Sequence, residues 1–214
     1  ASTVSQIKES LRTHHPYFTF LSKTKKTKHY VLTVCKKLGF ADRCKIVDPR
    51  GLSGGLLLAW NTEVEIKQVI CNTFCIEVEF RNHNSEPFRW AVFVYMSTDK
   101  STRESQWRDL EFKKESWGHS SCIIGDWNDL SKPDDKRGGR LRSQSSCLGF
   151  KTFISNMGMT ELFHKGHPFT WGNNRTEEGF VEESLDKGFA TLEWLRSFPQ
   201  SQTTSIFKSS SDHY

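Results

Sequence analysis

Cys122-Ile123-Ile124-Gly125-Asp126-Trp127-Asn128-Asp129 reads as a buried strand that ends in chemistry. A short apolar run, rich in β-branched residues and stopped by glycine, suits the interior of a sheet. A carboxylate stands directly past it, and an amide two residues further on. In open α/β sheets ligands gather just beyond strand ends, where the backbone turns and polar side chains converge. Asp126 and Asn128 are therefore the first candidate site residues. The plainer alternative is that both serve the turn through hydrogen bonds to local backbone. For an isolated Asp-x-Asn that alternative is the commoner outcome.

Working outward, apolar periodicity predicts further strands over residues 17–21, 56–60, 64–70, 74–80, 90–95, 169–171 and 184–190. Residues 64–70 and 74–80 alternate, as half-buried strands do. Helical spacing predicts helices from Thr3 to a stop at Pro16, over 31–38 with Gly39 as the cap, and from a Ser101-x-x-Glu104 capping box through Leu110. Further helices are expected over 147–157, ended by Gly158, and over 192–198, ended by Pro199. Asp48-Pro49-Arg50-Gly51 reads as a turn. Residues 131–144 carry no apolar periodicity and read as a polar loop. With no internal repeat or linker, residues 1–214 are expected to form one mixed α/β (α+β) domain.

Composition is consistent with a packed fold. Hydrophobic residues are 36%, but seven Trp and sixteen Phe bury a large area each. The net charge of +5 permits a polyanionic partner without requiring one. No apolar run approaches the ~18 residues that a membrane span needs. The polar, helical opening does not read as a signal peptide, and a first residue Ala1 in place of Met points to a processed product or a fragment. The six cysteines form no Cys-x-x-Cys pair, which argues against structural zinc. Buried reduced thiols are expected, and with them an intracellular setting.

Four separated pieces share one order along the chain: Tyr95 at a strand end, Gly125-Asp126-Trp127-Asn128, Ser184-Leu185-Asp186-Lys187, and Ser211-Asp212-His213. Between them lie Phe20-Leu21-Ser22-Lys23-Thr24-Lys25, Gly51-Leu52-Ser53-Gly54-Gly55, Lys136-Arg137-Gly138-Gly139-Arg140, and Pro168-Phe169-Thr170-Trp171-Gly172-Asn173-Asn174. Together these resemble the endonuclease/exonuclease/phosphatase superfamily, and most of all the endonuclease domains of plant LINE-type (non-LTR) retrotransposons. The resemblance implies a four-layer α-β-β-α sandwich of two mixed sheets, and Mg²⁺- or Mn²⁺-assisted hydrolysis of DNA phosphodiesters.

By that resemblance Asp126 takes the proton of the attacking water, within hydrogen-bond reach of it, and Asn128 orients Asp126 and the phosphate. His213 stabilises the charge that develops on phosphorus, and Asp186 sets its tautomer. Tyr95 donates its hydroxyl to a phosphate oxygen, and Asp212 helps to hold metal or water. Lys25, Lys136, Arg137, Arg140, Trp171 and Asn173 are the expected nucleic-acid contacts. The basic runs over 23–28 and at Lys136, Arg137, Arg140 and Arg142 equally suit a solvated face. A nuclear setting is expected of a retroelement product.

The chain departs from the family pattern in two ways. Where the family carries the glutamate that binds Mg²⁺, this sequence has Lys23. A hard divalent cation takes oxygen ligands, and an ammonium there removes one and repels the ion. Catalysis is therefore expected to be weakened. The family's first and last strands are also missing, so the domain is expected to be truncated at both ends. Exposed sheet edges would then favour a homodimer or strand addition by a partner. The competing reading is an inactive nuclease-fold protein that binds nucleic acid or a protein partner.

Overall fold

A computed structural model describes residues 3–50, 53–82, 86–173, 175 and 179–206. The chain divides into two compact units, with the boundary between Tyr95 and Met96. The first unit contains α1 (Thr3–His14), β1 (Phe18–Leu21), α2 (Lys28–Lys37), β2 (Cys44–Arg50), β3 (Ser53–Trp60), β4 (Glu65–Cys71), β5 (Cys75–Arg81) and β6 (Arg89–Tyr95). Its strands form antiparallel ladders in the orders β1-β3-β2 and β4-β5-β6. Rings from β1 meet rings from the other ladder: Phe18 lies 4.9 Å from Phe80, edge to face, and Phe20 lies 5.5 Å from Phe93. β3 is covered on both faces, with Leu57 and Ala59 packed on Val31 and Cys35 of α2. Alternate residues of a strand point to opposite faces, so the unbroken run Leu56-Leu57-Leu58-Ala59 fills two apolar layers at once.

The second unit contains α3 (Lys100–Lys113), β7 (Ser121–Asp126), β8 (Lys136–Gly138), α4 (Gln144–Met157), β9 (Thr160–Glu161), β10 (Phe163–Lys165), β11 (Trp171–Gly172), β12 (Val181–Glu183), β13 (Asp186–Ala190), α5 (Leu192–Ser197) and β14 (Gln202–Thr204). β7-β13-β9 and β11-β12-β8 are antiparallel ladders, while β10 and β14 run parallel. The core of this unit is aromatic. Trp127 is fully buried and lies 5.3 Å from Phe150 and 5.2 Å from Phe189, and Trp107 stacks on Phe150 and Phe153. No helix among the described residues is long and apolar enough to cross a membrane.

Several local expectations are corrected. Asp48-Pro49-Arg50 continues β2, with Pro49 opposite Gly54. Proline donates no amide hydrogen, and an edge strand such as β2 tolerates it. β5 is buried on both faces, not one, so Glu77 and Glu79 are interior. Asp99, not Ser101, caps α3, accepting from Thr102 N at 2.9 Å. The 131–144 stretch holds a 3-10 turn, Pro133–Asp135, and β8. Of the six thiols Cys71 is exposed and Cys44 half-buried, while the other four are buried. Burial, with Cys44 beside it, pushes the Cys35 thiol up to about 12.

Candidate active site

The opening stretch folds so that its aromatic and polar residues part. Trp127 drives into the aromatic core and donates Nε1 to Lys187 O at 3.0 Å, while its amide donates to Leu185 O at 2.9 Å. Asp126, one residue earlier, sits directly opposite Asp186 in the β7–β13 ladder. Residues directly opposite across an antiparallel pair project to the same face, with their Cβ atoms about 5 Å apart. Asp126 is buried and Asp186 half-buried, so the two carboxylates lie side by side at the end of the ladder.

The surrounding bonds fix that end. Asn128 N donates to Asp126 Oδ1 at 3.0 Å, so the local turn does form and also orients the carboxylate. Asn128 has a φ of 49°, and its Nδ2 donates to Met96 O at 2.8 Å, while Met96 N donates to Asp126 O at 2.8 Å. At the start of β13, Leu185 N (2.9 Å) and Asp186 N (2.8 Å) both donate to Oγ1 of the buried Thr170, the residue before β11. Sequence reasoning named Trp171 and Asn173 in this motif and passed over Thr170, the residue that holds Asp186.

It also missed Arg103 and Asp129, both buried. Arg103 donates Nε (3.0 Å) and Nη2 (2.8 Å) to Asp129 Oδ2, and Nη1 to Ser97 O and Thr98 O. The pair ties α3 to the two segments that flank Asn128. A signal existed: Arg103 shares one helix face with Trp107 and Leu110, which an arginine does only when its charge is paired.

In the first unit, Lys23 and Tyr95 come together, with Lys23 Nζ 5.4 Å from the centre of the Tyr95 ring. Thr24 N donates to Gly55 O and Lys25 N to Gly54 O, so the Gly54-Gly55 part of its motif pins the segment that carries Lys23. A Cβ on Gly55 would stand 2.3 Å from Thr24 Oγ1. Lys25 is exposed.

The basic segment of the second unit is largely engaged within the fold. Lys136 pairs with Glu183 at 2.8 Å, and the exposed Arg137 pairs with Glu182, its guanidinium 5.2 Å from the centre of the Phe169 ring and 5.5 Å from that of Phe180. Arg140 is exposed. Asn173 uses its side chain on its own hairpin, donating to Gly179 O and accepting from Arg175 N and Val181 N. Trp171 packs against the Leu130, Cys147 and Leu185 cluster. Asp212 and His213 lie outside the described residues.

The ammonium of Lys23 is no ligand for a divalent metal. Asp126 and Asp186 offer oxygen donors, but among the described residues no group of three or more His, Cys, Asp or Glu could hold an ion. At position 23, where the resemblance expects a carboxylate, the side chain is an ammonium lying against a tyrosine ring.

No protein-family model matches the chain, and no curated protein sequence matches it. Solved structures do. The endonuclease domain of TRAS1, a telomere-specific non-LTR retrotransposon, superposes with a TM-score of 0.65 at 13% identity, covering 91% of this chain and 83% of that one. The 3′ phosphatase NExo from Neisseria, bound to a product DNA hairpin, gives 0.68 at 11% identity, covering 98% and 91%. An endonuclease/exonuclease/phosphatase family protein from Bacteroides thetaiotaomicron gives 0.62 at 10% identity, covering 88% and 74%. The fold is the endonuclease/exonuclease/phosphatase fold. Identities this low establish the fold alone. In the endonuclease/exonuclease/phosphatase fold of this chain, the β7–β13 ladder of the second unit ends in two carboxylates; in the first unit Lys23, two residues past β1, lies against Tyr95 at the end of β6.

Proposed function

We propose that the chain acts as one nuclease-like domain of plant LINE-type retroelement origin, which engages DNA phosphodiesters and hydrolyses them weakly. The observation that carries this reading is the Asp126–Asp186 pair. Two carboxylates directly opposite in a ladder repel each other and cost the fold stability. The arrangement sets two acceptors on one face, one for the proton of a water and one for an imidazole N–H. Asp126, oriented by the Asn128 amide, is the group to accept a proton from water as it attacks phosphorus. Asp186, held by Thr170, is the group to orient the imidazole of His213, whose imidazolium would face the developing charge. Tyr95 supplies a hydroxyl donor to a phosphate oxygen. The resemblance to DNA-processing enzymes, one of them seen with a DNA hairpin, supports DNA as the substrate class.

A second reading is favoured by Lys23. An ammonium in the place of a metal-binding carboxylate attracts phosphate but cannot activate water, which yields binding with little or no turnover.

Nicking of supercoiled plasmid, with Mg²⁺, with Mn²⁺ and with chelator, tests both. Weak nicking that chelator abolishes and Asp126→Asn removes supports the hydrolase. Lys23→Glu with Mg²⁺ should then raise nicking by about tenfold or more, as expected when one good electrostatic contact is restored. If DNA binds but neither protein nicks, the binding-only reading holds.

A further inference from the structure

We propose that Leu141, carried between Arg140 and Arg142, is a wedge that stacks against a base step of duplex DNA. The inference rests on the DNA-binding reading above and adds to it a named contact and a substrate feature, a locally unstacked duplex.

Leu141 is 83% exposed, and Arg140 beside it is exposed as well. A lone exposed leucine is ordinary on a protein surface. What distinguishes this one is the strap that carries it. Residues 139–143 join β8 to α4, and both ends of the strap are fixed. On the β8 side Lys136 and Arg137 pair with Glu183 and Glu182, and the Arg137 guanidinium lies within 5.5 Å of the centres of the Phe169 and Phe180 rings. Gly138 has a φ of +80°, and a Cβ there would stand 2.1 Å from Phe180 O, so the backbones are in direct contact. On the α4 side Ser143 Oγ caps the helix by accepting from Ser146 N at 3.2 Å, and Cys147 and Phe150 are buried directly after.

Charge selects the occupant. A protein partner that covered Leu141 would have to desolvate or pair two flanking guanidiniums. Duplex DNA offers each a phosphate, and apolar side chains flanked by basic ones are what kinking proteins insert between base steps. Lys136 and Arg137 lie on β8 beside Glu183 and Glu182, so Arg140 and Arg142 are the charges that the strap itself brings to the phosphates.

The test uses the full chain and a short duplex with 2-aminopurine at a flexible pyrimidine–purine step. Binding of the parent should raise 2-aminopurine fluorescence as the base unstacks. Leu141→Ala should abolish that rise and weaken duplex affinity about tenfold, with the slope of log affinity against log salt unchanged, because no charge is removed. Arg140→Ala with Arg142→Ala should make the slope shallower by about two. If the parent binds and Leu141→Ala matches it in both affinity and fluorescence, the wedge is overturned and the DNA reading stands. If the parent binds no DNA at low salt, the DNA reading fails and the wedge with it. Self-association of the parent that Leu141→Ala abolishes would assign the leucine to a second copy of the chain, and would also overturn it.

Discussion

Arg103 and Asp129 are buried together, and their value lies in what removing one does to the other. Without Asp129 the guanidinium keeps its charge in the interior with only carbonyls to answer it. Asp129→Ala should therefore cost about 3–5 kcal/mol in urea unfolding. The apolar double replacement Arg103→Met with Asp129→Leu should recover most of that loss, because neither charge is then stranded. Glu79 carries a pH dependence. Burial alone would raise its carboxyl, but hydrogen bonds from Lys67 (2.8 Å) and Gln68 (2.7 Å) and the Lys67 charge outweigh burial and hold it below the usual glutamate range. A carboxyl with a depressed folded pKa contributes stability above its unfolded pKa, about 4.3, and loses it as pH falls through the folded value. Glu79→Gln should flatten the melting temperature against pH below about pH 5.

β8 is short, yet it sets where the basic segment points, and two devices hold it. One is Gly138, whose left-handed backbone lies against the Phe180 carbonyl. The other is Lys187, buried on β13, with Nζ 3.0 Å from both Asp135 and Glu161. Asp135 in turn accepts from Ser131 N and Lys132 N, closing the turn that leads into β8. Gly158, the left-handed cap of α4, makes a fair control, because nothing stands within 4 Å of a Cβ placed there. Gly158→Ala should cost about 1–2 kcal/mol, the backbone penalty alone. Gly138→Ala adds a backbone clash and should cost about 3 kcal/mol or more by chemical denaturation. Lys187→Met leaves Asp135 and Glu161 facing each other without their cation. It should loosen the 131–138 segment, read as faster amide exchange there than in β7.

At the scale of the whole molecule, the modest excess of basic residues sets the expected strength of any DNA contact. With Glu183 and Glu182 beside Lys136 and Arg137 and partly neutralising them, the salt slope of DNA binding should be shallower than the basic residues in the sequence suggest, which a titration from about 50 to 200 mM salt measures. What the sequence determined by itself is whatever rests on neighbours along the chain. The strand ending at Asp126, the glycine stop of α4 and the order of the motifs that pointed to this fold are all local patterns. The tertiary structure decided whatever depends on register and on cover. Asp126 faces Asp186 because β7 and β13 pair at one offset, and a slip of one residue would send every side chain to the other face. Asp48-Pro49-Arg50 is a strand because β3 lies beside it. Glu77 and Glu79 alternate with apolar residues as solvent-facing positions do, yet they are interior because both faces of β5 are covered. Lys136 and Arg137 look like ligands for phosphate in the chain, and the β8–β12 register sets Glu183 and Glu182 beside them, which the sequence did not show. A charge along the chain states what it can bind, and only the pairing of strands brought together from distant sequence states which charges lie beside it.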